Sequence, residues 1–421
     1  VKKINKQNDY DAYIKVVKEN SKEIREKVLK YLMVRRTRSE IERYFTADVK
    51  TQNLHFPAIQ DPIPLYYKLN SNEDAVFTET IKLITQGFTY ARYKPLLYYK
   101  GKISQTEEIS QENMGKFMKV LLVKRLESSF HAFRRSIGRF ITSYELFIRE
   151  FDNGNVYISK KYINKIFELL ENDDDAAVQE LIESGKAEYY KSSDFTDAFR
   201  SDLQNDLEIL KRIQRLWQTI KRDPKLEKLQ HELSSNVILK DNKIIIFTES
   251  KETAEYLCSN IKDKAICYHG GSGENERDTI IANFDAKARH QKDDYRILIS
   301  TEVLSEGVNL HRASVVINYD IPWNPTRMMQ RVGRINRVDT PFDMIYTFNF
   351  FPTTQAEDEI ALKKTAEAKI NAFLTLLGGD AAILTEGEPV SSHELFNRLI
   401  SKEVIMGEDE AGDSELKYLT I

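Results

Sequence analysis

The sequence predicts an α/β fold, in which a parallel sheet is covered by helices and preceded by a largely helical region. From residue 236 onward, short apolar runs rich in Ile, Val, Tyr and Phe alternate with helical patterns, an order that indicates strand–helix–strand units. Between residues 114 and 150, apolar side chains instead recur every three or four residues, which is typical of an amphipathic helix. These two patterns separate a helical part from a later sheet-forming part.

The helical part is expected to contain two regions. Residues 1–50 are charged and helix-prone and are expected to form a junction. Residues 51–235 are expected to be a mostly helical accessory region, whose beginning is divided by prolines into short strands, loops and helical pieces. The apolar spacing predicts one long helix over 114–150, and its other face carries basic residues that include Lys124 and Arg125.

The sheet-forming part, residues 236–355, is predicted to contain five strands. The candidates are KIIIFTE, KAICYH, YRILIST, SVVINYD and DMIYTFNF, because the buried strands of parallel sheets have continuous apolar sequences. Helices are predicted to begin near Lys251, Glu274, Thr301 and Asn324. The last of these has an Asn-Pro start signal, with Asn as the cap and Pro at the first helical position. Residues 356–421 are expected to form an acidic helical tail.

Composition limits the class of protein. Lys and Arg number 62 against 65 Asp and Glu, giving a net charge of −3, so any contact with nucleic acid has to come from a local basic surface. Cys258 and Cys267 lack the spacing of metal ligands, so no metal site is expected, and this cysteine usage suits a reducing cytoplasm. No apolar run approaches the roughly 18 residues of a spanning helix, so no membrane partner is expected.

The stretch QRVGRINR, residues 330–337, concentrates polar side chains on one face. On a helix, Arg334 and Arg337 lie four and seven positions after Gln330, so the three side chains share one side. Like charges three residues apart repel each other, so this face is favourable mainly if phosphate, carboxylate or water lies opposite it. Arg331 lies about 100 degrees away and is expected to form a structural ion pair.

Three loops that follow predicted strands carry groups suited to anions. The loop FTES contains Thr248, YHGGSG contains Gly271, and STEVLSEGVNL contains Ser300, Thr301 and Gly307. In open α/β sheets, ligands bind beyond the carboxyl ends of the strands, where hydroxyls and glycine amides can approach phosphate. Each loop is a weak signal by itself, but their order, ending in QRVGRINR, is specific.

In that order, the stretches IIIFTES, YHGG, ILISTEVLSEGVNL and QRVGRINRVD resemble motifs four to six of superfamily II helicases and translocases, in their second RecA-like lobe. The pattern Q-x-x-G-R-x-x-R is matched by Gln330, Gly333, Arg334 and Arg337. Upstream, LMVRRTRSEI and LLVKRLESSFHAFRRS resemble stretches of Swi/Snf-type members and their bacterial relatives. The resemblance therefore implies a RecA-like parallel sheet for the later part of the chain.

The resemblance also implies a nucleotide site. In this family ATP lies between two lobes, and arginines of the second lobe reach its γ-phosphate, a role that falls to Arg334 and Arg337. Gln330 would orient the phosphates or water, and Gly333 would let the helix approach the other lobe. Asn309 matches a position near the nucleotide at which many members have Asp.

The remaining matched positions are implied to bind ligands through hydroxyls and amides. Gly307 lies near the nucleotide in the family. The positions that hold the nucleic-acid backbone are Thr248, Gly271, Ser300 and Thr301, and such contacts do not depend on base sequence. Lys124 and Arg125 either extend this track or belong to a solvated basic face.

A motor of this kind also needs a P-loop, G-x-x-x-x-G-K-[ST], and an acidic box for Mg²⁺, and the sequence contains neither. The stretch ESGKAEYY has Ala187 after its Gly-Lys pair, and the aspartates at 173–175 follow no predicted strand. ATP and Mg²⁺ are therefore expected to be held mainly by a first RecA-like lobe of the same polypeptide, and these 421 residues alone are expected to be inactive.

The expected function is that of the C-terminal motor half of an ATP-dependent helicase or translocase of a Swi/Snf-like bacterial type, with duplex DNA as its substrate. One alternative is a non-catalytic RecA-like scaffold, although the presence of Gln330 and both arginines argues against it. The other is an RNA-directed helicase, which a comparison of ATPase stimulation by duplex DNA and by RNA would separate.

Overall fold

The computed structural model describes residues 19–20, 23–24, 27–28, 44–51, 57–60, 62–65, 67–158, 188–301, 308–320, 325–337 and 340–350. These residues form two compact units. The sheet unit takes its described residues from Val1–Tyr66, Lys228–Thr248 and Ala254–Ser401, and the helical unit takes them from Tyr67–Glu227 and Glu249–Thr253.

The strands are β1 (Ala58–Ile59), β2 (Ile63–Leu65), β3 (Asn155–Ile158), β4 (Glu188–Lys191), β5 (Ile244–Phe247), β6 (Ala265–Tyr268), β7 (Ile297–Ser300), β8 (Val315–Asn318) and β9 (Met344–Phe350).

The α-helices are α1 (Thr46–Thr51), α2 (Ser71–Lys82), α3 (Gln105–Ser128), α4 (Phe130–Asp152), α5 (Asp197–Gln218), α6 (Pro224–Ser235), α7 (Val237–Asp241), α8 (Lys251–Asn260), α9 (Glu274–Phe284) and α10 (Pro325–Ile335). A π-helical turn spans Leu83–Gly87, and short 3₁₀ turns span Ala91–Tyr93, Pro95–Tyr98 and Ser192–Asp194.

The sheet unit is built on a parallel sheet with the strand order β1-β9-β8-β5-β7-β6, in which β2 also pairs with β9. All residues of β5, β7 and β8 are buried, as their continuous apolar sequences require. The five strands predicted from sequence are confirmed as β5 to β9. The α/β fold class is likewise confirmed, with helices flanking the parallel sheet.

The strand register brings the carboxyl ends of the strands into one row. Phe247 of β5 aligns with Ser300 of β7 and with Asn318 of β8. Tyr268 of β6 also aligns with Ser300, and Asn318 aligns with Asn349 of β9. Residues that follow these positions therefore lie along one edge of the sheet, where open α/β folds bind ligands.

The helices of this part begin close to the predicted positions. Helix α8 begins at Lys251, α9 at Glu274 and α10 at Pro325, which occupies the first helical position because its missing N–H costs nothing there. Ile280 and Phe284 of α9 belong to the apolar core of the sheet unit. The helix predicted near Thr301 and the cap Asn324 lie outside the described residues, as do residues 173–175 and 356–421.

The helical unit contains two helices where the sequence predicted one helix over 114–150, so that prediction is wrong. Helix α3 ends at Ser128 and α4 begins at Phe130. Ser129 between them is extended, with φ −158° and ψ 150°, and its hydroxyl accepts a hydrogen bond from the Ala132 amide at 3.0 Å. Ser129 is therefore the N-cap of a new helix, whereas the apolar spacing continues past it unchanged.

Helices α4 and α5 pack through apolar faces. The buried residues of α5 include Phe199, Leu203, Leu207 and Leu210, at helical spacing, and α4 contributes Phe140 and Tyr144 among others. Each such side chain stabilises the fold by roughly 1.5–3 kcal/mol when it leaves water, before the cost of ordering the chain. Two helices thus form the centre of this unit.

The β3–β4 ribbon was not predicted, whereas β1 and β2 fall where short strands were expected but join the sheet of the later part. Strands β3 and β4 form a separate antiparallel ribbon within the region expected to be mostly helical. Strands β1 and β2 pair with β9, so the sheet includes residues ahead of the predicted boundary at 236. Edge strands of 2 and 3 residues are too short to show a period-two pattern in sequence.

Candidate nucleotide and nucleic-acid site

Helix α10 carries the residues of the predicted arginine face. Gln330 is exposed, and Gly333 and Arg334 are half-buried. A Cβ atom at Gly333 would meet nothing within 4 Å among the described residues. The packing of its own unit therefore does not require glycine at this position, which leaves room for an approach from outside.

Arg337 does not continue the helix, contrary to the expectation that it shares a helical face with Gln330 and Arg334. Helix α10 ends at Ile335, and the Arg337 amide donates a hydrogen bond to the Ile335 carbonyl at 3.0 Å. In a continuing helix that amide would instead donate to the Gly333 carbonyl, four residues earlier. The Arg334 carbonyl accepts the Leu310 amide at 3.1 Å. Arg337 is exposed.

The same hydrogen bond lies next to one predicted nucleotide residue, Asn309. Asn309, half-buried, immediately precedes Leu310, whose N–H donates to the Arg334 carbonyl. The structure therefore brings Asn309 into the neighbourhood of the arginine helix. Gly307 lies outside the described residues.

Arg331 is fully buried, which agrees with a structural role, but its two described acceptors are neutral oxygens, so the expected ion pair stays a prediction. Its guanidinium donates to the Asn318 side-chain oxygen at 2.9 Å and to the Asp320 main-chain carbonyl at 3.0 Å. The guanidinium carbon lies 5.2 Å from the centre of the Phe247 ring, within the range of a cation–π contact. Asn318 in turn donates to the Asn349 side chain at 2.7 Å.

The predicted hydroxyl residues lie at the carboxyl ends of the strands. Thr248 is fully buried and donates its hydroxyl hydrogen bond to the Asp320 carboxylate. The Ser300 hydroxyl donates to the Thr301 carbonyl at 2.8 Å. The Thr301 hydroxyl is buried and has no hydrogen-bond partner within the part of the chain that the structure describes. A phosphate contact by Thr248 would require the Asp320 bond to break.

The glycine loop between β6 and α9 is tightly hydrogen-bonded. The Gly271 amide donates to the Nδ1 atom of His269 at 3.2 Å, and the His269 amide donates to the Ser272 hydroxyl oxygen at 3.0 Å. The first turn of α9 carries Glu274 and Glu276. These carboxylates complement the helix dipole and disfavour a second anion at this helix start.

Lys124 and Arg125 lie in the helical unit. Lys124 forms an ion pair with Glu249 at 3.0 Å, and Arg125 is buried. Burial would raise the pKa of the neighbouring Glu252 carboxyl, but the charges of Arg139 and Arg125 hold it below its ordinary value. These basic side chains therefore serve the packing of their own unit in this structure, and their contact with nucleic acid stays a prediction.

The structure thus brings together Gln330, Gly333, Arg334 and Asn309 in the sheet unit, and places Thr248 and Ser300 at the carboxyl ends of β5 and β7. Sequence reasoning missed the three residues that hold Arg331 and Thr248, which are Asn318, Asp320 and Asn349. Their signal was polar side chains at the ends of buried apolar strands, the usual place for a site in such folds.

Within the described ranges, no group of three or more His, Cys, Asp and Glu side chains could hold a metal ion. No described helix is both long and apolar enough to cross a bilayer.

Residues 224–339 match the family model described as the helicase conserved C-terminal domain. This part of the chain therefore resembles the conserved C-terminal domain of helicases.

Similar proteins carry helicase names. The chain is 34% identical over 149 residues to the uncharacterized ATP-dependent helicase YqhH of Bacillus subtilis, covering 35% of this chain and 25% of that protein. It is 34% identical over 162 residues to the probable ATP-dependent RNA helicase DDX17 of Mus musculus, covering 37% and 23% of the two chains. The chain thus spans about a quarter of the length of these relatives.

Among solved structures, the C-terminal part of the Fun30 ATPase domain has 16% identity and a TM-score of 0.37, covering 77% of this chain and all of that chain. The C-terminal domain of the DEAD-box protein Dbp5 has 25% identity and a TM-score of 0.27, covering 33% of this chain and 77% of the other.

Proposed function

We propose that the chain supplies the C-terminal motor lobe of an ATP-dependent helicase or translocase of Swi/Snf-like bacterial type that acts on duplex DNA. The observation that supports this most strongly is the polar side of α10, where Gln330 is exposed and Arg334 is half-buried beside Asn309. These donors fit the phosphates of ATP, because a guanidinium has a planar fork of N–H groups that matches phosphate oxygens.

Arg334 and Arg337 act as arginine fingers in this proposal. Positive charge brought to the γ-phosphate stabilises the charge that develops during phosphoryl transfer, an effect on the order of 10³ to 10⁵ in turnover. Exposed Gln330 orients the same phosphates or the attacking water, and the open space at Gly333 admits the facing lobe. ATP and Mg²⁺ are held mainly by a first lobe that carries the P-loop, and these 421 residues alone do not hydrolyse ATP.

The nucleic-acid track in this proposal follows the strand ends. The Thr301 hydroxyl is the donor that no described residue accepts. Ser300, Gly271 and Thr248 contribute if their donors leave the Thr301 carbonyl, His269 and Asp320 respectively. Such groups bind the phosphate backbone, which suits a motor that has to pass every base. The protein acts in the cytoplasm.

An RNA-directed helicase is the second candidate. The observation that favours it is that DDX17, a relative with 34% identity over the matched region, is named as a probable RNA helicase. Duplex DNA and A-form RNA present different grooves, and only RNA carries the 2′-hydroxyl. The polymer that stimulates ATP turnover therefore decides between the two.

The test is ATP hydrolysis by the protein that carries both lobes, measured with duplex DNA, single-stranded DNA and RNA. Arg334→Ala is compared with Arg277→Ala, a matched change at an exposed arginine of α9. We expect stimulation by duplex DNA and a fall of about 10³ or more in turnover for Arg334→Ala, since the finger is lost. Arg277→Ala should leave turnover unchanged.

Three outcomes would contradict the proposal in different ways. Stimulation by RNA alone would establish the second candidate. Strong hydrolysis by these 421 residues, abolished by Arg334→Ala, would show that the P-loop is not needed from another lobe. An absence of hydrolysis with every polymer, in a folded protein, would favour a non-catalytic scaffold.

A further inference from the structure

Arg331 combines full burial with a permanent positive charge. It is the largest fully buried side chain among the described residues, with 0% of its surface exposed. A guanidinium does not lose its proton inside proteins, and a buried charge is costly unless its donors are satisfied. The surrounding atoms therefore have to hold this side chain in a defined position.

The atoms that hold Arg331 come from the strand ends. Asn318, the last residue of β8, accepts one hydrogen bond, and the Asp320 carbonyl just beyond β8 accepts another. The Phe247 ring at the end of β5 lies beside the guanidinium. Because Asn318 also bonds to Asn349 of β9, the guanidinium is connected to three adjacent strands.

This arrangement fixes helix α10 at two points. One point is the Arg331 side chain, and the other is the Arg334 carbonyl, which accepts the Leu310 amide at 3.1 Å. Arg331 lies one residue after Gln330 and three residues before Arg334, within a single helical turn of each. A change in how deeply the Arg331 side chain is buried would therefore move the Gln330 and Arg334 side chains relative to the sheet.

We propose that Arg331 is a positioning residue, which, through Asn318 and Asp320, sets the place from which Arg334 and Gln330 meet the γ-phosphate. The inference rests on the proposed function of α10. It differs from that function because Arg331 itself touches no nucleotide. A misplacement of about 1 Å in a site of this kind can lower turnover about a hundredfold, so a buried support of this type has a measurable effect.

The first experiment measures kcat and KM for ATP in the protein that carries both lobes. Arg331→Met has a side chain of similar length but none of the hydrogen bonds of the guanidinium. Arg331→Lys keeps the charge but not the planar fork of N–H groups that reaches both acceptors. We expect kcat to fall about a hundredfold in Arg331→Met, with KM for ATP unchanged. Arg331→Lys should be intermediate. Asn318→Leu, which leaves Arg331 itself intact, should lower kcat in the same way.

The second experiment measures amide hydrogen exchange in these 421 residues and needs no ATP turnover. We expect faster exchange at the α10 amides in Arg331→Met, and unchanged exchange in α9, which does not contact the Arg331 cluster through any of its described hydrogen bonds. If α10 exchange stays unchanged, the proposal is wrong. If exchange rises but kcat per folded molecule stays the same, Arg331 is structural only.

The two proposals fail in distinguishable ways. If the wild-type protein hydrolyses no ATP, the proposed function fails, and exchange in α10 still reports whether Arg331 fixes the helix. If the wild type hydrolyses ATP and Arg331→Met raises KM with kcat unchanged, Arg331 acts on ground-state binding and the positioning proposal is overturned. Because Arg331→Lys keeps the buried charge and part of its hydrogen bonding, a loss of folding in Arg331→Met alone would leave the test intact.

Discussion

At the scale of single residues, Asp206 in the helical unit is held by several hydrogen bonds. This carboxylate is fully buried and accepts hydrogen bonds from the Thr89 amide at 2.6 Å, the Ala91 amide at 2.8 Å and the Tyr144 hydroxyl at 3.0 Å. Tyr90, between the two amides, has φ +60°, a left-handed conformation that costs a non-glycine residue roughly 1–3 kcal/mol. Asp206 thus stabilises the strained turn at Tyr90 through the amides on either side of it.

The ionisation of Asp206 should make stability depend on pH. Burial raises its pKa to about 6, against the pull of the amides that donate to the carboxylate. Because the folded state then binds a proton more tightly than the unfolded state, stability should fall as pH rises from about 4 to about 6, and stay constant above. A shift of about two pKa units corresponds to roughly 3 kcal/mol.

Urea unfolding of wild type and of Asp206→Asn between pH 4 and pH 8 would measure this contribution. The wild type should lose more stability over the interval than Asp206→Asn, which cannot titrate there. Asp202→Asn, on the same helix and with its carboxylate on the Tyr98 hydroxyl at 2.7 Å, serves as the control for removing a carboxylate from this helix. Equal slopes in all three proteins would show that Asp206 titrates at its ordinary value.

At the scale of elements, the apolar spacing predicted the buried strands, but it missed a helix boundary that depends on a single residue. Strands β5 to β9 are largely apolar runs between turn residues, so their existence could be predicted directly, whereas their order in the sheet was not predicted. The break between α3 and α4 depends on one extended residue, Ser129, while the apolar period of the helix continues across it. The Ser-Ser pair at 128–129 was the available signal, since serine favours helix caps.

In the candidate site, too, residues related by local spacing could be predicted, and residues brought together by strand pairing could not. The spacing of Gln330 and Arg334 predicted from sequence that they share one face of a helix, because that spacing is local, and their role at a nucleotide stays a prediction. The partners of Arg331 could not be identified, since Asn318 and Asn349 come together only when β8 and β9 pair.

The N-cap of α4, Ser129, should contribute measurably to the stability of the protein. The Ser129 hydroxyl caps α4 and also lies 2.9 Å from the Thr253 hydroxyl oxygen. Ser129→Ala should therefore destabilise the protein by about 1 kcal/mol or somewhat more, measured by urea unfolding. Ser143→Ala, at a buried serine in the interior of α4, is the matched control and should have a smaller effect, because alanine favours a helix interior. An equal loss in the two variants would contradict a capping role.

At the scale of the whole molecule, charge has to act locally. The net charge is −3, and Lys and Arg are distributed over both units, many of them already paired with carboxylates, as Lys124 is with Glu249. A protein with no general positive field does not attract nucleic acid from a distance. Binding then depends on short-range phosphate contacts, which release counterions and are therefore sensitive to salt.

Nucleic-acid binding by these 421 residues should accordingly be weak and fall as salt rises. For duplex DNA, raising salt from roughly 50 to 200 mM lowers the affinity about threefold for each phosphate contact. The slope of log affinity against log salt therefore measures the number of contacts. Lys124→Gln should reduce that slope by about one if Lys124 extends the phosphate track, whereas Arg277→Gln on α9 should leave it unchanged. A slope that Lys124→Gln does not alter would assign Lys124 to its ion pair with Glu249 alone. Binding that is insensitive to salt would contradict recognition through phosphates altogether.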